Sequence, residues 1–430
     1  MAKFIKEMWR RIREKGLIYW VLAGVFGIGG IFASIYATMH MPDLMLTPKF
    51  MTYRLFSGPR QGQSLESTAV LISDDEFNRD FSGRLPLRRD IVGHMVTNLC
   101  AAGARVVALD ISMKSDAEES TAPGPDPYSA ETAKFRHDVE GALASPDAMH
   151  PWRNPLCRIV FAVALNCDEH PCRRVTQAIN ASDFQSGRVT EGAANLAKGD
   201  IRKMPVHQVI ADEMDEPSLS WAAVRAYEAS LGLNLSPPAS EGFPYITFLT
   251  EENFREQKRL VMASTVLSSK CDTIPGRNAP DCLQLTSIVQ GKIVLVGGTW
   301  HDVGKKLHDD HDTPVGAMPG VLVHLNFVAA YLDKRLTYSF PHVLGGALEL
   351  LTVVVLALVT ACTEGVLANV AFLFLGGFFL FICEYILWVS FGFYFDAIVP
   401  MLFLFLHSHV HDHIMLKMDS IREKLKGEKH

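Results

Sequence analysis

KIVLVGG, Lys292 to Gly298, sets four consecutive apolar residues, three of them β-branched, in front of a Gly-Gly turn. An unbroken run without polar alternation reads as a strand covered on both faces, the hallmark of a parallel sheet. Working outward, RVVALDI (105–111), TAVLIS (68–73) and RIVFAVAL (158–165) have the same character, and Tyr245 to Leu249 is a shorter strand. Between them lie helical patterns. Ile91, Met95, Leu99 and Cys100 repeat at helical spacing over 88–102, with Gly103 as the stop; further helices are expected at 129–144, 218–231 and 320–333. A Pro- and acid-rich loop spans 115–127, and the stretch after Leu165 reads as long and irregular. Strands alternating with helices predict an α/β domain, a largely parallel sheet covered by helices. The Gly297-Gly298 turn lacks the GKS/T completion of a phosphate loop.

Charge is unevenly placed along the 430 residues. The net charge of −6 gives no reason to expect a nucleic-acid partner. Leu17 to Met39 carries no charge over 23 residues, enough to cross a bilayer. The alternative, a cleaved signal peptide, fits less well, since the apolar run is long and Ile35 stands where a small residue is needed. Three further spans are expected at 342–362, 366–389 and 393–410, separated by Thr363-Glu364-Gly365 and by Ser390 and Gly392. The basic N-terminus, 1–16, and the basic tail, 411–430, both place themselves in the cytoplasm by the positive-inside rule. Residues 40–341 then lie across the membrane, in a periplasm if the host is Gram-negative. The fold class expected is an α/β periplasmic domain plus four transmembrane α-helices, one N-terminal and three C-terminal.

Six cysteines, Cys100, Cys157, Cys167, Cys172, Cys271 and Cys282, fall in this translocated region. An oxidising compartment favours disulfides, with fifteen possible pairings; the close pairs Cys167/Cys172 and Cys271/Cys282 are the simplest. Zinc is the rival, and no CxxC spacing supports it.

MLTPKFMTYRLFSG (45–58), VLISDDEF (70–77), RLPLRRDIVGHMVTNL (84–99), GARVVALDI (103–111), GKIVLVGGTW (291–300), DTPVG (312–316) and MPGVLVHLNFVAAYL (318–332) occur in that order. This collinear set, from about Leu46 to Leu406, resembles the CHASE2 domain, an extracytoplasmic sensory module of bacterial receptors usually followed by three membrane spans. The resemblance implies a sensor. Two departures stand out: 112–245 is longer and richer in Cys than the family pattern. In addition, a tail of roughly 20 residues stands where the family usually carries a cyclase, diguanylate cyclase or kinase. Twenty residues make at most about 30 Å of helix and hold no catalytic domain.

Asp74, Asp75 and Asp110 stand at strand ends, where ligands bind in open parallel sheets. The three could hold a hard cation; equally, Asp74 or Asp75 could cap the following turn, and Asp110 a helix or turn. HDVGKKLHDDHD (301–312) adds His301, Asp302, His308, Asp309, Asp310, His311 and Asp312 at another carboxyl end, with a plain surface loop as the alternative. The ligand-site candidates are therefore Asp74, Asp75, Asp110, His308, Asp309 and Asp312. His407, His409, His411 and His413 form two i,i+4 pairs, or simply reach for water at the interface. Glu349, Glu384 and Asp396 are carboxylates within or beside the spans, expected to face a partner or a cavity. Small residues Ala23/Gly27, Gly29/Ala33 and Ala33/Ala37 permit close helix approach. Ile414, Met418, Ile421 and Leu425 form a stripe that could pack on a partner.

No G-x-S-x-G, HExxH or convincing Cys-His pairing for hydrolysis is present. The expectation is a non-enzymatic inner-membrane receptor or coupling subunit, without a cofactor. Its partners would be the lipid bilayer and a separate cytoplasmic or membrane protein that supplies the output, with a second copy of the chain as a further candidate. A scaffold subunit of an envelope complex, binding no small molecule, is the alternative.

Overall fold

The computed structural model describes 65–113, 128–144, 156–166, 177–196, 215–233, 248–272, 280–301 and 309–333. Short stretches at 173–175, 207–209, 245–246, 336–339 and 393–394 are also described, with positions 6, 10, 21, 154, 378, 382, 385 and 386. The chain divides into two units, Tyr53–Leu336 and the two flanks, Met1–Thr52 with Thr337–His430.

The first unit is built on a six-stranded sheet, parallel throughout. Its strands are β1 (Ser67–Ile72), β2 (Val106–Asp110), β3 (Arg158–Val163), β4 (Val189–Ala193), β5 (Leu260–Met262) and β6 (Ile293–Gly298). The order across the sheet is β5-β1-β6-β2-β3-β4. KIVLVGG thus forms a central strand, in register Val294 to Thr68 on one side and Val294 to Val107 on the other. Of the five strands expected, those at 68–73, 105–111, 158–165 and 292–298 are present here, each within two residues of its expected limits. Of the fifth, 245–249, only Tyr245–Ile246 is a strand, and it belongs to another sheet. Edge strands β4 and β5 are additions to that reading. VTEGA carries a Glu and a Gly, and LVM has only three residues, so neither shows the dense apolar run of a central strand.

Eight helices complete the described framework: α1 (Asp74–Arg79), α2 (Arg89–Ala101), α3 (Ser129–Leu143), α4 (Leu219–Ser230), α5 (Glu251–Glu256), α6 (Ala263–Ser268), α7 (Pro280–Val289) and α8 (Gly320–Leu332). Along β1, β2, β3 and β6, alternate residues serve opposite faces. Val70, Ile72, Val107, Leu109, Ile159, Phe161, Val294 and Val296 join Val92, Val96, Phe135, Val139 and Leu285 in one core. α4 and α8 cover the other face. Close approach there requires glycine. A Cβ on Gly297 would stand 2.6 Å from Val321 of α8, and one on Gly192 would stand 2.8 Å from Leu219 of α4.

Buried polar groups tie elements together where apolar packing alone would not set their register. Arg259, fully buried, donates through Nε to Ser67 O (2.9 Å) and through Nη2 to Ser67 Oγ, and faces Asp333 at 3.9 Å. Asn326 of α8 donates to Leu249 O (3.1 Å) and accepts from Leu249 N–H (2.7 Å). Asn98 of α2 donates to Val266 O at 3.1 Å.

Two disulfides are described. Cys271–Cys282 is the expected close pair, while Cys167 and Cys172 lie outside the described residues. Cys100–Cys157, 57 residues apart in sequence, joins the end of α2 to the approach of β3. Spacing alone singles out no such partner; the fold brings the two Cα atoms to 5.7 Å, within bridging reach.

Among the described residues no helix is long and apolar enough to cross a membrane. The spans expected at 17–39, 342–362, 366–389 and 393–410 lie almost wholly outside the described residues, as do the tail 411–430, His407 to His413, Glu349, Glu384 and Asp396. Phe393 and Tyr394 are described, and they are extended, pairing in parallel with Tyr338 and Ser339. The span expected at 393–410 thus opens on two extended residues.

Candidate functional site

Connections leave the carboxyl ends of β1 and β6 in opposite directions. β1 leads by way of α1 to α2 on one face, and β6 leads to α8 on the other. Such a reversal opens a crevice beyond the sheet edge, the usual ligand position in open parallel sheets. The segments following β1, β2 and β6 therefore decide what this molecule can present there.

SDDEF follows β1. Ser73 is the N-cap of α1 and Glu76 occupies the third helical position, so the S-x-x-E spacing behaves as a capping box. This corrects the expectation that Asp74 or Asp75 caps the turn. Both sit inside the first turn, where acidic charge meets the helix dipole. Glu76 is buried and accepts from Ser73 N–H (3.1 Å), Ser73 Oγ and Ser264 Oγ (2.8 Å). Burial would push its carboxyl up, but these donors together outweigh it and hold the group below the ordinary glutamate range. Glu76 was not among the sequence candidates; the capping-box spacing was the available signal.

Asp74 is committed elsewhere. Its Oδ1 accepts from His301 N–H at 2.7 Å, and its Oδ2 lies 2.8 Å from His301 Nδ1. The main-chain N–H of His301, then its ring, lower the Asp74 carboxyl. The link joins the segment after β1 to the segment after β6. Beside it, Trp300 stacks on Phe77 with centroids 4.9 Å apart. Asp75 is exposed.

Asp110 ends β2 and takes a different environment. Its register partner is Gly297, whose missing Cβ would lie 3.3 Å from Asp110 Cβ, so the aspartate is on the α8 side of the sheet. No hydrogen-bond donor serves its carboxyl among the described residues. Burial first, and the Asp309 carboxylate second, push it up to about 8. Asp309 packs against Gly320, where a Cβ would collide with Oδ2, and its Oδ1 lies 2.7 Å from His311 Nε2. Asp110 and Asp309 are thus the two sequence candidates brought within electrostatic reach. Asp312 is exposed on a hairpin formed by β7 (Asp310–Thr313) and β8 (Gly316–Pro319), so part of the expected surface loop is a strand. His308 lies outside the described residues.

Beneath this cluster is His324 of α8, buried, with both ring nitrogens engaged. Nε2 lies 3.0 Å from Ala194 O, to which it must donate, leaving Nδ1 to accept from Ser220 Oγ at 2.8 Å. Burial drives the imidazole down to about 4, against the pull of the Ala194 carbonyl and Asp309. It is a neutral strut between α4, α8 and the end of β4. A single histidine in an apolar helix gives no sequence signal of that role.

Among the described residues, no three or more His, Cys, Asp or Glu gather as a metal site. Asp74, Asp75 and Asp110 do not converge: one turns to His301, one to solvent and one to α8. Glu76→Gln puts a neutral amide where three donors meet a carboxylate and should cost about 2 kcal/mol, lowering the melting temperature by roughly 4–8 °C. A calorimetric scan of the purified variant checks this; an unchanged transition would remove Glu76 from the framework.

Comparison with family descriptions matches the CHASE2 domain over residues 27–362, well over half of the chain. The chain belongs to that family, whose members are extracellular sensory domains. Comparison with curated proteins gives no match, and neither does comparison with solved structures.

Proposed function

We propose that this CHASE2 protein is a non-enzymatic receptor or coupling subunit of a bacterial inner membrane. Its α/β domain lies in the periplasm, and it passes a change of helix packing to a separate cytoplasmic or membrane partner that supplies the output. The observation that carries this reading is the family match across the sheet domain. The polar chemistry at the crevice supports it further. Asp74, Glu76 and His324 are each spent on internal bonds that join separate elements. Such groups transmit displacement of one element to another, whereas catalysis needs groups that face a substrate. The four spans expected at 17–39 and 342–410 would carry that displacement across the bilayer.

The test is purification of the full chain from its native host in gentle detergent, followed by mass spectrometry of stoichiometric companions. A kinase, cyclase or response regulator is the expected companion. Recovery of structural components of a secretion or surface apparatus in its place would overturn the receptor reading and make the chain an assembly subunit.

A further inference from the structure

The opposite end of the sheet holds a cavity of about 300 Å³ that none of the crevice residues line. It lies between α4 and the strands β3 and β4. Ala222, Ala226 and Ala229 recur at i, i+4 and i+7 along α4, and their short side chains leave room against the sheet. Pro217 and Leu233 extend this apolar wall. Arg158, from the start of β3, lines the cavity from the sheet side, and Arg225 lines it from α4 itself, between Ala222 and Ala226. Neither guanidinium has a hydrogen-bond or ion-pair partner among the described residues, and Arg188 stands close enough to Arg158 for their charges to repel.

The acid that lines the cavity does not neutralise them. Glu191 is already held by Arg174 and by the N–H of Ala181, the latter at 2.6 Å. A small cavity with an apolar wall and two uncommitted planar cations is complementary to one chemistry. We infer that this cavity between α4 and the β3–β4 edge binds a small organic carboxylate. The carboxylate would meet Arg158 and Arg225, and a short aliphatic body would lie on the alanine face of α4. An inorganic anion would satisfy the arginines and leave the apolar wall wet, so an aliphatic body is part of the recognition. The inference does not rest on the crevice or on the receptor reading, since a scaffold could bind the same ligand.

The full chain in detergent is titrated calorimetrically with hexanoate, with hexan-1-ol, hexylammonium and inorganic phosphate as controls. Hexanoate should bind and raise the melting temperature, because a ligand specific to the native state stabilises it. The controls should bind at least about tenfold more weakly, as each lacks either the anion or the apolar body. Arg225 is exposed, so Arg225→Gln and Arg225→Glu should fold normally and lose hexanoate affinity by about tenfold or more. Absence of hexanoate binding, equal binding of phosphate or hexanol, or full affinity in Arg225→Glu would each overturn the assignment.

Discussion

Asp110→Asn should stabilise the protein at neutral and alkaline pH. The native carboxyl, ordinarily near 3.8, is raised to about 8 by burial and by Asp309. A raised carboxyl favours the folded state while protonated. Its contribution is fully present below about 4 and is lost as pH rises through about 8. Asparagine cannot ionise and escapes that loss. The shift corresponds to several kcal/mol at pH 8, an upper figure because part of the side chain still reaches water. His324 acts in the opposite sense. Its imidazole is lowered to about 4, so its contribution is present above about 6.5 and fades as pH falls through about 4. In the wild type the two trends oppose each other between those limits. Denaturant midpoints at pH 5 and pH 8 separate them: wild type and Asp110→Asn should be nearest at pH 5 and furthest apart at pH 8. Parallel pH profiles for the two proteins would show that Asp110 ionises normally.

Removing the Cys100–Cys157 bridge should be the most damaging covalent change. The bridge closes 57 residues, and the chain-entropy relation assigns a loop of that length about 4 kcal/mol, against about 3 for the 11-residue Cys271–Cys282 loop. For a unit of this size, about 4 kcal/mol lowers the melting temperature by roughly 8–16 °C. Cys100→Ala paired with Cys157→Ala should therefore melt well below a Cys271→Ala/Cys282→Ala double variant. The comparison is made by calorimetry on oxidised proteins. Should the short-loop variant melt lower, the longer bridge would not be the main covalent restraint on the sheet. Both cysteines are buried among apolar residues, so some of the loss would come from packing. Reduction of the Cys271→Ala/Cys282→Ala variant, which keeps the longer bridge, isolates its covalent part.

The strands and helices that build the centre of the domain were legible along the chain. KIVLVGG, RVVALDI and TAVLIS are dense in β-branched and apolar residues because both faces of a central parallel strand are buried, and local composition has to show it. Helices 89–101, 219–230 and 320–332 were visible for the related reason that an amphipathic or fully apolar helix repeats at its own period. The edge strands were hidden because an edge buries less and tolerates Glu191, Gly192 and a length of three residues. At the candidate site, the strand-end acids were correctly placed at carboxyl ends, and the one-dimensional pattern treated them alike.

Sequence by itself determined the α/β class of the domain, its central strands and the family, since each depends on local composition or on collinear order, and it offered Cys271–Cys282 as one of two simplest pairs. Only the tertiary structure decided that Asp74 binds His301, that Asp110 lies under α8 without a donor among the described residues, and that Cys100 meets Cys157. It alone brought Arg158 of β3 and Arg225 of α4 to one cavity beside the alanines of α4. The physical reason is common to all four. Burial, charge state and contact depend on what approaches from elsewhere in the chain, and that approach is governed by sheet order and by the missing Cβ atoms of Gly297 and Gly192, not by any neighbour in sequence.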